Sequence, residues 1–289
     1  MYTLVLTAQL GRLTHDAAEL ASKAIGRPLH WLEPATAAEA EVEEPHAARE
    51  AARLALAHFA VDANVVPSAN RRKRLLIADM DSTIIGCECI DEIADIAGLK
   101  PQISAITERA MRGELNFETA LRERVALLKG LPESALQQAY VERVRLNPGA
   151  RTLVETMKAN GAHTALVSGG FTFFTERVGA AAGFQTRRAN ELKIESGVLT
   201  GEIGVPILGK EAKREALEQL CQFHALSLDD AIAVGDGAND GAMIEAAGLG
   251  VAYRAKPVLK AVAAAQLDHS DLTALLYLQG YKSHEIVTS

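Results

Sequence analysis

From residue 74 to the end of the chain, short apolar runs alternate with segments whose apolar residues recur at helical spacing. The runs RLLIAD (74–79), HTALVS (163–168) and AIAVGD (231–236), with a weaker LGVAY (249–253), predict strands. Each of the first three ends in a polar residue at a turn, and a helical pattern follows. Such alternation predicts an α/β fold with a doubly wound parallel sheet, whose ligands bind in the crevice beyond the carboxyl ends of the strands. Asp79, Ser168 and Asp236 are therefore expected to converge there. Between the first two strands, residues 86–145 carry only helical patterns: CIDEIADIAGL, ISAITERAMRG, NFETALRERVALLKG and PESALQQAYVERV. One crossover helix needs far fewer residues, so this insert predicts a helical cap over the strand ends, where it can exclude water and recognise the far end of a substrate.

Residues 1–70 have a different texture. YTLVLTA reads as a strand, HDAAELASKAIG as a helix ended by Gly26, PLHWLE as a short strand, PHAAREAARLALAHFA as an amphipathic helix and DANVVP as another strand. The stretch ATAAEAEVEE between them reads only as acidic and alanine-rich. The polar segment SANRRKR separates two apolar runs, which divides the chain into a small α+β unit, 1–70, and a larger unit, 71–289.

Composition narrows the function classes. At 289 residues and 48% hydrophobic, the chain can bury a sizeable core, so disorder is excluded for most of it. A net charge of −7 disfavours nucleic acid and anionic membrane, and the one dense basic run, RRKR at 71–74, leads directly into a strand. No apolar stretch reaches the roughly 20 residues that span a bilayer, and the N-terminus lacks a signal-peptide pattern, so a cytoplasmic protein is expected. Three cysteines, an odd number, fit a reduced compartment, and no second Cys or His pair stands near Cys87 and Cys89 to make a soft-metal site. The histidines form no HExxH-type spacing.

Two aspartates, Asp79 and Asp81, close an apolar strand, and Asp236 and Asp240 belong to the same crevice. Like charges of this kind repel by about 4 kcal/mol per pair at a separation of about 4 Å and an effective dielectric of about 20. A divalent cation is the simplest compensation. Oxygen-only ligands select a hard ion, and a site that leaves room for waters and a phosphate favours Mg²⁺ over Ca²⁺. Asp81 can also avoid the cost by holding a proton. Ser168, Gly169 and Gly170 supply a hydroxyl and unhindered N–H groups ahead of a helix, and Lys213 supplies a point charge. A metal, a lysine and N–H donors around an aspartate describe phosphoryl transfer through an aspartyl phosphate.

Competing motifs fail on residues. GDGAND (235–240) has Asp240 where a dinucleotide fingerprint needs glycine, LVSGG lacks the glycine two positions before the serine of a nucleophile elbow, and no GxxxxGK[ST] occurs. Taken together, DMDST (79–83), SGG (168–170), the downstream Lys213 and GDGAND resemble, in order and spacing, the motif series of the haloacid-dehalogenase-like phosphatases. The likeness covers about residues 74–289. Met80 stands where the family often has phenylalanine, a conservative departure.

The resemblance implies a role for each residue. Asp79 would be the nucleophile, and Asp81 the general acid and then base. Mg²⁺ would be held by Asp79, the Asp81 backbone carbonyl and Asp236. Ser168, Gly169 and Lys213 would bind the phosphoryl group, with Asn239 and Asp240 shaping the site. In the cap, Glu88 would take a substrate ammonium, Arg124 its carboxylate, and Phe117 would close over the ligand. The activity implied is Mg²⁺-dependent hydrolysis of O-phospho-L-serine, the last step of L-serine biosynthesis. Without the resemblance, Glu88 reads as a solvated helix-start acid, and Arg124 as a surface partner of Glu123 or Glu118. A phosphatase of another amino-acid phosphate, or transfer to an acceptor other than water, fits the same core. Residues 1–70 are expected to act as an amino-acid sensor or as a docking unit, with a homodimer as one outcome.

Overall fold

The computed structural model describes residues 1–209 and 211–288. The first unit runs β1 (Tyr2–Thr7), α1 (His15–Ile25), β2 (His30–Glu33), β3 (Ala37–Val42), α2 (Pro45–Ala55) and β4 (Asp62–Pro67). The helix α1 forms where expected: Thr14 caps its first turn through Ala17 N–H, and Gly26 takes the left-handed conformation that ends it. The segment read as merely acidic contains β3. Its alternating Ala and Glu carry little intrinsic strand preference, and pairing with both β1 and β2 decides its conformation. The antiparallel order is β2-β3-β1-β4, with Leu4, Leu6, Leu13 and Ala38 in its core.

The larger unit opens with β5 (Leu75–Ala78) and continues through α3 (Cys89–Ile96), α4 (Lys100–Met111), α5 (Phe117–Leu127), α6 (Glu133–Arg143) and α7 (Ala150–Ala159). Then follow β6 (His163–Phe171), α8 (Thr172–Ala182), β7 (Thr186–Asn190), β8 (Leu192–Glu195), β9 (Val198–Ile203) and α9 (Ala212–Phe223). The chain ends with β10 (Ala231–Gly235), α10 (Gly241–Ala246), β11 (Leu249–Tyr253), α11 (Pro257–Lys260), β12 (Ala265–Leu267) and α12 (Ala274–Leu278). Six strands pair in parallel in the order β12-β11-β10-β5-β6-β7. The period of two divides β5 between two cores: Leu76 and Ala78 face one, Leu75 and Ile77 the other. Burial on both faces is why such strands read as continuous apolar runs.

The insert between β5 and β6 is helical from α3 to α6, as the patterning predicts. The antiparallel pair β8-β9, which the sequence reading did not find, binds to it. Gly130 N–H donates to the Leu199 carbonyl at 2.8 Å, Leu199 N–H to Leu131 at 2.8 Å, and Glu133 N–H to Gly197 at 2.9 Å. The two units are joined through β4. The buried Asp62 carboxylate accepts from Asp268, His269 and Ser270 N–H and from the Ser270 hydroxyl, and Asn64 makes a reciprocal pair with the Gln266 backbone.

Candidate active site

The carboxyl ends of β5, β6 and β10, three adjacent strands, deliver Asp79, Ser168 and Asp236 to one place. Asp79 N–H still belongs to the sheet, donating to Val234 at 3.0 Å. The chain then makes one wide helical turn, Met80–Ile84, closed by Ile85 N–H on the Met80 carbonyl at 3.0 Å. Within it Ser82 has φ of +55°, a left-handed conformation that is costly for a non-glycine residue. This turn brings Asp81 back under the start of α3, where Cys89 N–H donates to its Oδ1 at 2.9 Å. Ser168 Oγ donates to Asp81 Oδ2 at 3.2 Å while accepting Gly170 N–H at 2.8 Å. Burial raises the Asp81 carboxyl above the usual carboxylate range, against these donors, so the proton that the sequence reading allows it is favoured.

Behind Asp79 lies a buried ion-paired frame. Lys213 Nζ is 2.7 Å from Asp79 Oδ1 and 2.6 Å from Asp240 Oδ1. The other Asp240 oxygen accepts Asp236 N–H at 3.1 Å and Gly237 N–H at 3.0 Å. Burial opposes the Lys213 charge, but the two carboxylates outweigh it and the ammonium is held more firmly than usual. Lys213 and Asp240 are not among the residues that line the cavity; Lys213 stands directly behind Asp79, bridging the two carboxylates.

Oxygens of Asp79, Asp236 and Asp240 lie within 4.8 Å of one another. Both Asp240 oxygens are occupied, whereas the Asp236 carboxylate and Asp79 Oδ2 have no donor among the described contacts. Burial and Asp240 push Asp79 well above the carboxylate range despite Lys213, and push Asp236 up to about 6. Two desolvated carboxyls with free oxygens, and with no His or Cys grouped with them among the described residues, form a donor set that fits a hard cation.

A cavity of about 340 Å³ separates these groups from the helical insert. Of the residues expected at the site, it is lined by Asp79, Asp81, Glu88, Phe117, Arg124, Ser168, Gly169, Asp236 and Asn239. Glu88 is exposed and accepts the Ser82 hydroxyl at 2.6 Å. Enclosure and the nearby Asp81 raise its carboxyl to about 7, unlike a freely solvated helix-start acid. The surface partners considered for Arg124 are taken: Glu123 pairs with Arg109 and Glu118 with Arg122, each at 2.8 Å. Arg124 donates through Nε to the Ala120 carbonyl, and burial lowers its pKa although Asp91 and Glu88 oppose this.

Two charged lining residues, Asp91 and Lys256, were not found from the sequence. Asp91 follows Glu88 by one helical turn, the only signal that could have found it. Lys256 stands just beyond β11, whose carboxyl end opens on the same crevice, and its N–H donates to the Asp236 carbonyl at 2.9 Å.

Close packing makes Gly170 a sensitive position. A Cβ there would lie 2.7 Å from Asp81 Oδ2 and 3.1 Å from Ser168 Oγ. Gly170→Ala is expected to displace the Asp81 carboxyl and lower kcat by about 10²-fold, with little change in the thermal midpoint. Steady-state kinetics beside a melting curve check this.

The family described as haloacid dehalogenase-like hydrolase matches residues 76–245. A phosphoserine phosphatase from Archaeoglobus fulgidus is 47% identical over 206 residues, 71% of this chain; the match spans 60% of that protein's length. Among solved structures, a probable phosphoserine phosphatase from Vibrio cholerae, in unliganded form, superposes with a TM-score of 0.82 at 32% identity. That likeness covers 98% of this chain and 88% of the other. A phospho-aspartyl intermediate analogue of phosphoserine phosphatase gives 0.66 at 40% identity, over 71% of this chain and 98% of its own.

Proposed function

The chain belongs to the haloacid dehalogenase-like hydrolases, and from that membership and its site we infer that it hydrolyses O-phospho-L-serine to L-serine and phosphate. The observation that carries the substrate is the pairing across one cavity: Asp79 and Asp81 on the sheet side, Glu88 and Arg124 on the helical side. A phosphate dianion and a zwitterionic amino-acid head need those opposite ends. A planar guanidinium suits the carboxylate, and Glu88 suits the ammonium. Phe117 covers the ligand between them.

Asp79 attacks phosphorus, so its bond to phosphorus forms as the bond to the serine oxygen breaks. Asp81, protonated at the outset, gives its proton to that oxygen and L-serine leaves. The Asp81 carboxylate then takes a proton from the water that attacks the acyl phosphate, releasing phosphate and restoring Asp79. Ser168, the Gly169 amide and Lys213 stabilise the phosphoryl oxygens throughout. Mg²⁺ held by Asp79, Asp236 and the Asp81 backbone carbonyl would neutralise charge on the transferring group when bound. Asp240 and Asn239 maintain this frame. Every group in the scheme falls in residues 71–289, beneath a cap of about 86–145, and residues 1–70 form a separate attached unit. The structural neighbour that spans only 71% of this chain supports that division. By family resemblance, this reaction would be the last step of L-serine biosynthesis.

Phosphate release from L-phosphoserine, D-phosphoserine, phosphothreonine, phosphohomoserine and a small aryl phosphate tests the reading. The expected result is preference for phosphoserine with Mg²⁺ and loss of all activity in EDTA. Good aryl phosphate cleavage with no amino-acid preference would leave the core chemistry and remove the Glu88 and Arg124 roles.

The Glu88 environment adds a pH dependence. Below about pH 7 the side chain is protonated in the free protein and cannot pair with an ammonium. The ratio of kcat/KM for L-phosphoserine to that for an alkyl phosphate without an amino group should therefore rise with pH through about 7. Both leaving groups are alkoxides that need the Asp81 proton, so the ratio removes the ionisations of Asp81 and of the phosphate that the two substrates share. Glu88→Gln should flatten it; a flat ratio in the wild type would count against the ammonium contact.

A further inference from the structure

We propose that Asn190 is a positioning residue that holds the phosphate-binding turn against the segment leading to Lys213; the proposal rests on the phosphatase reading above. β6 and β7 are in register at Val167 with Arg188 and again at Phe171 with Asn190, but not between. That break frees Ser168, Gly169 and Gly170 from the ladder, and all three line the cavity. A carbonyl withdrawn from a ladder needs another donor. For Gly169 that donor is Asn190 Nδ2, at 2.9 Å.

The same carboxamide reaches the other side. Its Oδ1 accepts Leu208 N–H at 2.7 Å, and Nδ2 lies 3.4 Å from the Leu208 carbonyl. The side chain is 2% exposed, so water does not replace these partners. A fixed backbone donor on one side and a fixed acceptor on the other set the orientation of the amide. Leu208 and Gly209 precede α9, which carries Lys213 in its first turn. Phe117 lies over both joined segments: a Cβ on Gly169 would be 3.1 Å from its Cζ, and one on Gly209 3.8 Å from its Cδ1. One buried amide thus ties the turn that carries Ser168 and Gly169 to Leu208, on the approach to α9. Neither aspartate nor an apolar side chain can both donate to Gly169 and accept from Leu208 at neutral pH.

The test compares the wild type with Asn190→Ala and Asn190→Asp. Binding of inorganic phosphate with Mg²⁺ is measured by calorimetry, and kinetics are run on L-phosphoserine and phosphoethanolamine. Phosphate affinity is expected to weaken about tenfold and kcat to fall about 10²-fold in both variants. The ratio of kcat/KM between the two substrates should hold within about twofold, because the contacts to the carboxylate are on the cap. A lowered melting temperature with unchanged phosphate affinity and kcat would overturn the proposal, as would a collapse of the substrate ratio. If Asn190→Ala does not fold, the isosteric Asn190→Asp carries the test; failure of both to fold would make the residue structural and overturn it as well. Weakened phosphate binding in the variants of a protein that does not cleave phosphoserine would remove the substrate reading and leave the positioning role.

Discussion

Asp79→Asn should reduce phosphoserine turnover below about 10⁻⁴ of the wild-type rate, since it removes the atom that forms the covalent bond. The substitution is nearly isosteric, and folding should survive it. In the metal-free protein, burial and Asp240 raise the Asp79 carboxyl well above its ordinary value. A carboxyl whose pKa rises on folding lowers stability once the pH exceeds its unfolded value, so the neutral amide is expected to leave the melting temperature unchanged or raise it at neutral pH. Lys213 keeps its 2.6 Å partner Asp240 in the variant. Mg²⁺ should stabilise the wild type more than the variant, because one of the two carboxylates with a free oxygen is gone. Phosphate release and melting curves with and without Mg²⁺ measure both effects. Comparable phosphoserine activity in the Asn protein, with deamidation excluded by mass, would sink the covalent mechanism.

The parts of this site that a sequence reader can see are those where one residue type in one place has few other uses. Asp79 and Asp236 end strands buried on both faces, and such strands appear as unbroken apolar runs that locate their own carboxyl ends. Once three of those ends are known, the crevice follows, and the carboxylates in it ask for a cation. The helical insert was equally legible, because a long stretch with helical spacing and no strand pattern has few other homes.

What stayed hidden depended on partners far away in the chain. β7, TRRAN, has no apolar run, and its pairing with β6, from Ala165–Thr186 to Phe171–Asn190, fixes it there rather than its composition. The β8-β9 pair is short and takes its place from the loop between α5 and α6. β12 has three residues and takes its place from the ladder with β11 and the Asn64 contact from β4. In the sequence Asn190 is one more polar residue in a segment without an apolar run. Only the broken register opposite it creates the orphan carbonyl that it serves. The left-handed Ser82 is likewise invisible in DMDST, since the strain belongs to the turn that brings Asp81 beneath Cys89 N–H.

The two chemical half-steps place different demands on Asp81, and Asp81→Asn should separate them. The amide keeps the geometry: its oxygen can accept Cys89 N–H, and its NH₂ can face the Ser168 hydroxyl that now stands 3.2 Å from Oδ2. It can neither give a proton to a departing alkoxide nor take one from water. With L-phosphoserine, whose leaving group is a strong base, the first half-step becomes slow and turnover should fall by about 10²–10⁴-fold with no phosphoenzyme accumulating. With a nitrophenyl phosphate the leaving group departs without a proton, so Asp79 is phosphorylated at close to its normal rate and only the hydrolysis of the acyl phosphate is impaired. The expected record is a rapid release of nitrophenolate equal to the enzyme present, then slow turnover, with an acid-quenched protein heavier by one phosphoryl group. Steady turnover without that initial release would mean that the attacking water is activated elsewhere, and Asp81 would then serve only as the acid.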